Sequence, residues 1–597
     1  MSLVRVATAS CVAAFLLALI LASQAWSASG TWERSWGKDV LNNGSEIGAE
    51  VCTVAASCRS GLIGGLGGEL SEVEGVAVDS KGNVYVADFA DLRVDKFTAA
   101  GVWQRSWGGD VVAGNSSEGP EICTVASQCK SGLSGDDGGE LGAPVGVATD
   151  PGGNVYVVES GFHRVQKFDS SGNFLLAWGK NVSASTGSGE AEICSQSEDC
   201  QLGEAGEKGG EFNDPDGIGT DSSGNVYVAD YENGRVQKFN SSGVFQATWG
   251  QDVIGDRPNI YEVCVVASAC KAGSTGGLGG QLNKPVGIAV VADKVFVGDS
   301  GNNRVQEFDV GGGWTRAWGK DVDSSAGTGF EVCATAENCK TGVGGGGEAG
   351  QFAGGPYGMA ADGSGKVYAA DLTNNRIQVF NENTGAFEAA WGKDVIKVGG
   401  SGDIGEGFEI CTVVADCKVG VAGFLGGELN QPFGLSVDSG GNVFVGDRGN
   451  LRIDRFSDFG PPPPPGGQEE GGGASGGGTG GGTGATDSTA PKLGLSRKAK
   501  QRVGKLSVTV TGDEAGTLKG QAAVPIPGGR PAKSKSASAA IKAGQKVILR
   551  LKFADKALKS INNALKAGKH LKANITVVGK DTAGNSSIQR TSVKLLP

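Results

Sequence analysis

The 597-residue chain reads as all-β, a six-bladed β-propeller, and three observations predict it. One unit recurs, beginning at Gly75, Gly146, Gly217, Gly287, Gly358 and Gly434, and a fixed period of this kind marks a fold made by stacking copies of one supersecondary unit. Each unit holds four short strand-like stretches, as GIGTD, VYVAD, RVQKF and VFQATWG do within 217–250, separated by turns of Gly, Asn and Ser. The sixth unit stops at RIDRFSDFG (452–460) without its fourth strand, and the missing piece stands near the N-terminus as GTWERSWG (30–37). Four antiparallel strands per unit are the pattern of a propeller blade, and the N-terminal strand would complete the last blade and remove the open edges.

In chain order, residues 1–28 read as a signal peptide. Arg5 precedes an apolar core near 12–22, and the small residues Ser23, Ala25, Ser27 and Ala28 follow it. The core is too short to span a bilayer comfortably, so the mature chain is expected to carry no transmembrane span and to be secreted or held at the cell surface. The propeller is expected over 29–459. PPPPP (461–465) and the Gly-rich run after it make 460–490 a linker, and 491–597 a second, smaller domain.

Export bears on the 13 cysteines. Cys11 lies in the leader, and the other twelve form six C-x5-C pairs, one per repeat. They are Cys52 with Cys58, Cys123 with Cys129, Cys194 with Cys200, Cys264 with Cys270, Cys333 with Cys339 and Cys411 with Cys417. An oxidising compartment and an even count favour six disulfides. Zinc is the rival reading, but the spacing is not that of a zinc knuckle and no histidine is near. Spacing alone leaves open whether each pair closes on itself or on its neighbour.

Each cysteine pair sits in an insertion that follows a WG dipeptide and lengthens the repeat to about 71 residues. In an up-and-down blade, the connection after the fourth strand and the loop between strands two and three emerge on one face. The disulfide loops are therefore expected to crown the face that carries a recurring acid-x4-Arg element. That element is Asp88 with Arg93, Glu159 with Arg164, Asp230 with Arg235, Asp299 with Arg304, Asp371 with Arg376 and Asp447 with Arg452. Loops on a rigid scaffold carry function, which makes these twelve residues binding-face candidates. An ion pair repeated in every blade also suits a brace for a tight loop, and Asp/Asn/Gly loops suit calcium, although none has EF-hand spacing. The glutamate two residues before each first cysteine (Glu50, Glu121, Glu192, Glu262, Glu331, Glu409) would form an acidic ring or cap turns. The Trp of each WG and the Phe of each RVQKF-like strand are expected to pack between blades.

The stretches AVDSKGNVYVADFADLRVDKF (77–97), TDSSGNVYVADYENGRVQKF (220–239) and AADGSGKVYAADLTNNRIQVF (360–380) resemble the NHL repeat family, a likeness that extends over roughly 31–459. The resemblance implies a propeller used as a binding platform for protein, RNA or sugar, with enzymes among its relatives, so it does not select a function.

Two histidines, His163 and His570, cannot build a repeated histidine metal site or a Ser–His–Asp triad. The second domain carries 22 Lys+Arg against 4 Asp+Glu, +18, while the rest of the chain balances at 31 against 61, −30. It resembles Ig-like modules of secreted bacterial proteins in its D-x-A-G-N turn. Its basic charge suits an anionic cell-wall polymer, and no aromatic-basic motif points to nucleic acid. The expected function is an exported, non-catalytic platform for a protein or glycan ligand, needing no cofactor. The alternative is an extracellular lyase or hydrolase using a metal or carboxylates in the propeller channel.

Overall fold

The computed structural model describes residues 31–42, 48–115, 119–255, 259–400, 403–404 and 407–457, and, beyond them, 493–496, 500–502, 506–512, 515–524, 532–535, 537–542, 545–567, 569, 571–581 and 586–596. The expected signal peptide and linker, with Cys11 and His570, lie outside the described residues. The chain divides into two units, 1–466 and 467–597.

The first unit holds six antiparallel sheets, and each has five strands rather than four. In the third sheet Pro215–Thr220, Val226–Asp230, Arg235–Phe239 and Phe245–Gln251 follow the expected pattern, and Tyr261–Cys264 adds a fifth strand at the outer edge. That strand is only four residues long, too short for alternation to reveal it. It forms because the WG strand would otherwise present an open ladder edge: Trp249 pairs with Val263 and Gly250 with Glu262. The last sheet closes as expected. Trp32–Lys38 lies between Arg452–Phe456 and Ala49–Cys52, and the innermost strand of each blade touches that of the next around the full cycle.

Aromatic pairs fasten neighbouring blades. Trp178 packs on Phe239 of the following blade at 5.7 Å, and Trp36, Trp107, Trp249, Trp318 and Trp391 repeat the contact with Phe97, Phe168, Phe308, Phe380 and Phe456. These indoles are at most 1% exposed, so each blade junction is a dry core of its own. The turn between strands three and four lies flat on the indole of the preceding blade. At Gly172 (φ 90°) a Cβ would stand 2.7 Å from the Trp107 ring, so both the backbone and the space demand glycine.

Six disulfides form, and each closes within its own insertion: Cys52 bonds Cys58, Cys123 bonds Cys129 and Cys194 bonds Cys200. Likewise Cys264 bonds Cys270, Cys333 bonds Cys339 and Cys411 bonds Cys417. Contrary to the expectation, these bridges do not crown the loop-bearing face. Each first cysteine ends the outermost strand of its blade, and the chain then folds back. Cys58, Cys129, Cys200, Cys270, Cys339 and Cys417 form single bridges to Leu41, Val112, Ser183, Ile254, Asp323 and Ile396, just beyond the WG strand. The twelve cysteines are at most 4% exposed, because a fold-back against the edge strand buries the sulfur pair. In the third blade one 3-10 turn (Ala267–Ala269) separates the two, and the bridge packs on Val253, Phe245 and Ile254.

What reaches the face is the Gly-rich return run: Gly273 N–H donates to the Asn233 carbonyl in the loop between strands two and three. The same runs join blade to blade, since Gly209 N–H donates to Ala267 O of the next insertion and Gly279 N–H to Ala336 O. Replacing Cys264 and Cys270 together by Ser should cost about 2 kcal/mol, the entropy a short closed loop removes from the unfolded chain. Urea unfolding checks this, and an unchanged midpoint would show that the loop is held by its neighbours alone.

The second unit is described by itself. A three-stranded sheet (Leu493–Ser496, Ser507–Gly512, Lys546–Arg550) and a six-stranded sheet enclose a core of Val508, Val510, Leu518, Ile575, Val577 and their neighbours. One helix, Asp555–Lys566, inserts Ile561 into that core. No helix among the described residues is long and apolar enough to cross a membrane.

Candidate functional site at the axial mouth

The recurring acid–Arg pairs do not present themselves to a ligand; they lie beneath the loop face. Asp88, Glu159, Asp230, Asp299, Asp371 and Asp447 are 0% exposed, and so are Arg93, Arg164, Arg235, Arg304, Arg376 and Arg452. Arg235 Nε donates to Asp230 Oδ2 at 2.8 Å, while its terminal nitrogens donate to Lys271 O of its own insertion and to Lys208 O and Glu211 O of the preceding one. Each arginine thus staples two insertions together. Arg164 holds Glu159 at 2.7 Å and donates to Gln201 O and Glu140 O. Arg376 holds Asp371 at 2.8 Å and donates to Lys418 O, Glu348 O and Gln351 O. Arg304 with Asp299 and Arg452 with Asp447 repeat the ion pair at 2.8 and 3.0 Å.

The physical reason is the guanidinium's need for partners: only beneath the loops do the carbonyls of two insertions converge on it. The first blade departs from the pattern. Arg93 turns to Asp95 at 2.7 Å, Asp88 accepts the Ser71 and Glu72 N–H groups, and burial, with Asp91 nearby, pushes the Asp88 carboxyl well up. These side chains build the face from below.

The six glutamates before the first cysteines cap turns. Each accepts an N–H across its insertion, as Glu192 does from Ser183 (3.0 Å) and Glu262 from Ile254 (2.8 Å). His163, with φ 46°, accepts the Asp214 N–H on Nδ1 at 3.0 Å, and Asn375 does the same for Gln431. The histidine is a loop variant with a structural task.

At the axis the sixfold pattern breaks. The glycine opening each innermost strand is pressed against the next blade; a Cβ on Gly217 would lie 1.9 Å from Val286 O, and one on Gly358 2.0 Å from Phe433 O. This crowding brings the residues before those glycines, Glu74, Val145, Asp216, Val286, Tyr357 and Phe433, around one open depression. Below them Val76, Val147, Ile218, Ile288, Met359 and Leu435, each 5–7% exposed, narrow the channel to an apolar waist. The opposite end of the channel is lined by small and apolar residues, among them Thr149, Thr220 and Val290, without a charge.

Arg448, from the loop between strands two and three of the last blade, reaches over this mouth. Its Nε lies 3.2 Å from Glu74 Oε1 and 3.0 Å from Glu72 Oε1, and its guanidinium lies 5.6 Å from the Phe433 ring centre. Phe433 and Tyr357 meet at 5.2 Å and 49°. Burial, opposed by Arg448 and reinforced by Asp216 and Glu72, raises the Glu74 carboxyl to about 8. Burial alone raises Asp216 to about 7. The mouth therefore offers two carboxyls that change charge near neutral pH, one guanidinium and two rings. Sequence reasoning did not find this single-copy set. Its signal was the variable column (Glu, Val, Asp, Val, Tyr, Phe) just before an invariant glycine in an otherwise regular repeat.

A pH dependence follows. Both carboxyls hold protons more tightly folded than unfolded, so the unfolded chain releases them first, and stability falls as pH rises from the ordinary carboxylate range to about 8. Glu74→Gln should flatten this slope in urea unfolding followed across that range. An unchanged slope would mean that Glu74 titrates normally.

Among the described residues, Asp136, Asp137 and Glu140 bring carboxylate oxygens within 4.8 Å of one another, a set that could hold a cation. Glu140 is already engaged, since it accepts the Asp137 N–H (3.1 Å) as Glu69, Glu211 and Glu428 accept theirs in other blades.

Three of the six blades match the NHL repeat: its model fits residues 141–168, 212–239 and 282–308, in the second, third and fourth blades. Rat peptidylglycine alpha-amidating monooxygenase is 26% identical over 245 residues, 40% of this chain and 20% of that protein, so the chain spans about one fifth of that relative's length. Similar solved structures include a streptogramin B lyase (10% identity, TM-score 0.30, 67% of this chain and 96% of that one). A luciferin-regenerating enzyme (12%, 0.31, 66% and 94%) is another. A regucalcin described as calcium-binding, from Agrobacterium tumefaciens C58, is a third (8%, 0.30, 67% and 97%). At these identities and scores the structural likenesses carry no functional argument.

Proposed function

We propose that the protein is an exported, non-catalytic binding platform whose ligand, a protein segment or a glycan, docks at the axial mouth of the loop-bearing face. The carrying observation is that the repeat keeps its buried residues blade after blade yet diversifies the ring just before the axial glycines into acid, ring and apolar positions. Aromatic faces beside carboxyls and a guanidinium suit a ligand with both apolar and hydrogen-bonding faces. The arginine staples brace the loops around this mouth, and a braced site lowers the entropy that binding must offset. On this reading the second unit is an Ig-like module that holds the protein at an anionic envelope surface.

The test is a glycan and peptide array probed with the mature protein, followed by calorimetry on the hits. Phe433→Ala and Glu74→Gln should each weaken binding about tenfold or more. Hits that bind both variants as well as the parent would overturn the assignment of the mouth.

One observation favours a second reading, a lyase or hydrolase working through carboxyls. With Glu74 raised to about 8 and Asp216 to about 7, the two could exchange a proton with a bound substrate at neutral pH. A ligand from the array that is chemically converted, with conversion lost in Asp216→Asn, would select this reading over the platform.

A further inference from the structure

In the second unit, Asp555 and Asp581 are the acidic residues among those described, and several of its exposed cations share one sheet face. In the six-stranded sheet the core-facing residues of Lys572–Asp581 are Ala573, Ile575 and Val577, so Lys572 and Lys580 belong to the outward face. Ser586–Leu596 alternates likewise about Val593 and Leu595 and turns Lys594 outward, and Leu518 sets Lys519 on the same side. Arg502, register partner of Leu596, completes five exposed cations on one face.

Their register is the informative part. Lys572 stands directly opposite Lys594, and Arg502 follows on the neighbouring strand, two positions further along. Like charges directly opposite on adjacent strands destabilise a sheet, and these strands run only about 5 Å apart. On the three-stranded sheet, by contrast, Lys546 faces Thr511 and Arg550 faces Ser507. The repulsive pairing is thus confined to one face.

We propose that the outward face of the six-stranded sheet is a docking surface for a linear phosphodiester polymer of the cell envelope, whose repeated negative charges run from Arg502, Lys594 and Lys572 at one end of the strands to Lys580 and Lys519 at the other. The choice of occupant rests on charge complementarity and on two further features. Lysine provides point charges suited to a repeating backbone rather than the bidentate fork arginine offers a single phosphate. The unit has one aromatic residue, Phe553, and it is 6% exposed, so there is no surface ring on which nucleic-acid bases could stack. The inference rests on the export reading above but not on the ligand of the propeller.

The experiment uses the full mature chain and poly(glycerol phosphate) as probe, with binding followed by interferometry over a salt series. Binding should weaken steeply with salt as counterions are released. The triple variant Arg502→Gln, Lys572→Gln, Lys594→Gln should lose about tenfold or more in affinity. The matched triple Lys546→Gln, Arg550→Gln, Lys552→Gln should lose less than about threefold, since it removes equal charge from the other sheet and the residues just after it. Equal losses in the two triples would overturn the assigned face. Tighter binding to transfer RNA or to phosphatidylglycerol vesicles than to the polymer would overturn the assigned partner, as would no binding at all. Because a triple variant could simply unfold, Lys594→Thr alone is measured as well; relief of the lysine pairing should raise the melting temperature while weakening polymer binding. A lowered melting temperature would remove the repulsion on which the proposal stands. Axial variants such as Phe433→Ala should leave polymer binding unchanged, so failure here and failure of the axial reading are told apart.

Discussion

Arg304→Met should destabilise the propeller by about 3–5 kcal/mol, because it removes one partner of a fully buried ion pair and leaves the other charged in a dry site. Arg304 is 0% exposed, and its Nε lies 2.8 Å from Asp299 Oδ2. Its terminal nitrogens donate to the carbonyls of Gly277, Leu278, Gln281 and Lys340, so the substitution also orphans backbone acceptors of two insertions. Methionine fills much of the volume but donates nothing. Urea unfolding measures the loss, and Arg448→Met at the solvent-facing mouth is the control, with an expected cost below about 1 kcal/mol. The double variant Asp299→Asn, Arg304→Met should recover part of the loss, because the stranded charge is gone. A cost under about 1 kcal/mol for Arg304→Met would show that the staple is dispensable.

Removing residues 31–38 should cost the protein its closed ring. Trp32–Lys38 pairs on both sides, with Arg452–Phe456 and with Ala49–Cys52, so its loss opens a ladder edge and detaches the outermost strand of that blade. It also uncovers the core beneath Trp36, which is 1% exposed and packs on Phe97 and Phe444 at 6.2 and 6.1 Å. Loss of that indole alone is worth about 3–5 kcal/mol. The expected outcome is higher-order species in size-exclusion chromatography, with proteolysis beginning in the 432–456 segment. A truncated protein that elutes where the parent does and keeps the parent's melting temperature would mean that the ring does not need this closure.

Much of the scaffold was legible because its information is local. VYVAD and RVQKF alternate with period two, and each copy buries the same residues against the same neighbours, so one blade read correctly gave six. The N-terminal strand was legible for the same reason, since SWG repeats the signature of the strand it replaces. The disulfide pairs were visible as residues, but their closure within each insertion and their position at the outer edge depend on a strand of four residues that alternation cannot flag. The acid–Arg pairs were visible too. Whether they face solvent or core was not, because a buried guanidinium is tolerated only where five donors find partners, and those partners sit far along the chain in two insertions, 24 and 36 residues from Arg235 at Glu211 and Lys271.

The sequence by itself determined the six blades, their closure, the local character of the strands and the charge contrast between the two units, all of which follow from repetition, alternation and composition. Only the tertiary structure decided that Glu74, Asp216, Tyr357, Phe433 and Arg448, from four blades, share one mouth. The reason is geometric. Closing the ring presses the axial glycines carbonyl against Cα, and that crowding, absent from any single repeat, turns one variable position per blade toward a common axis, where burial then shifts its carboxyls.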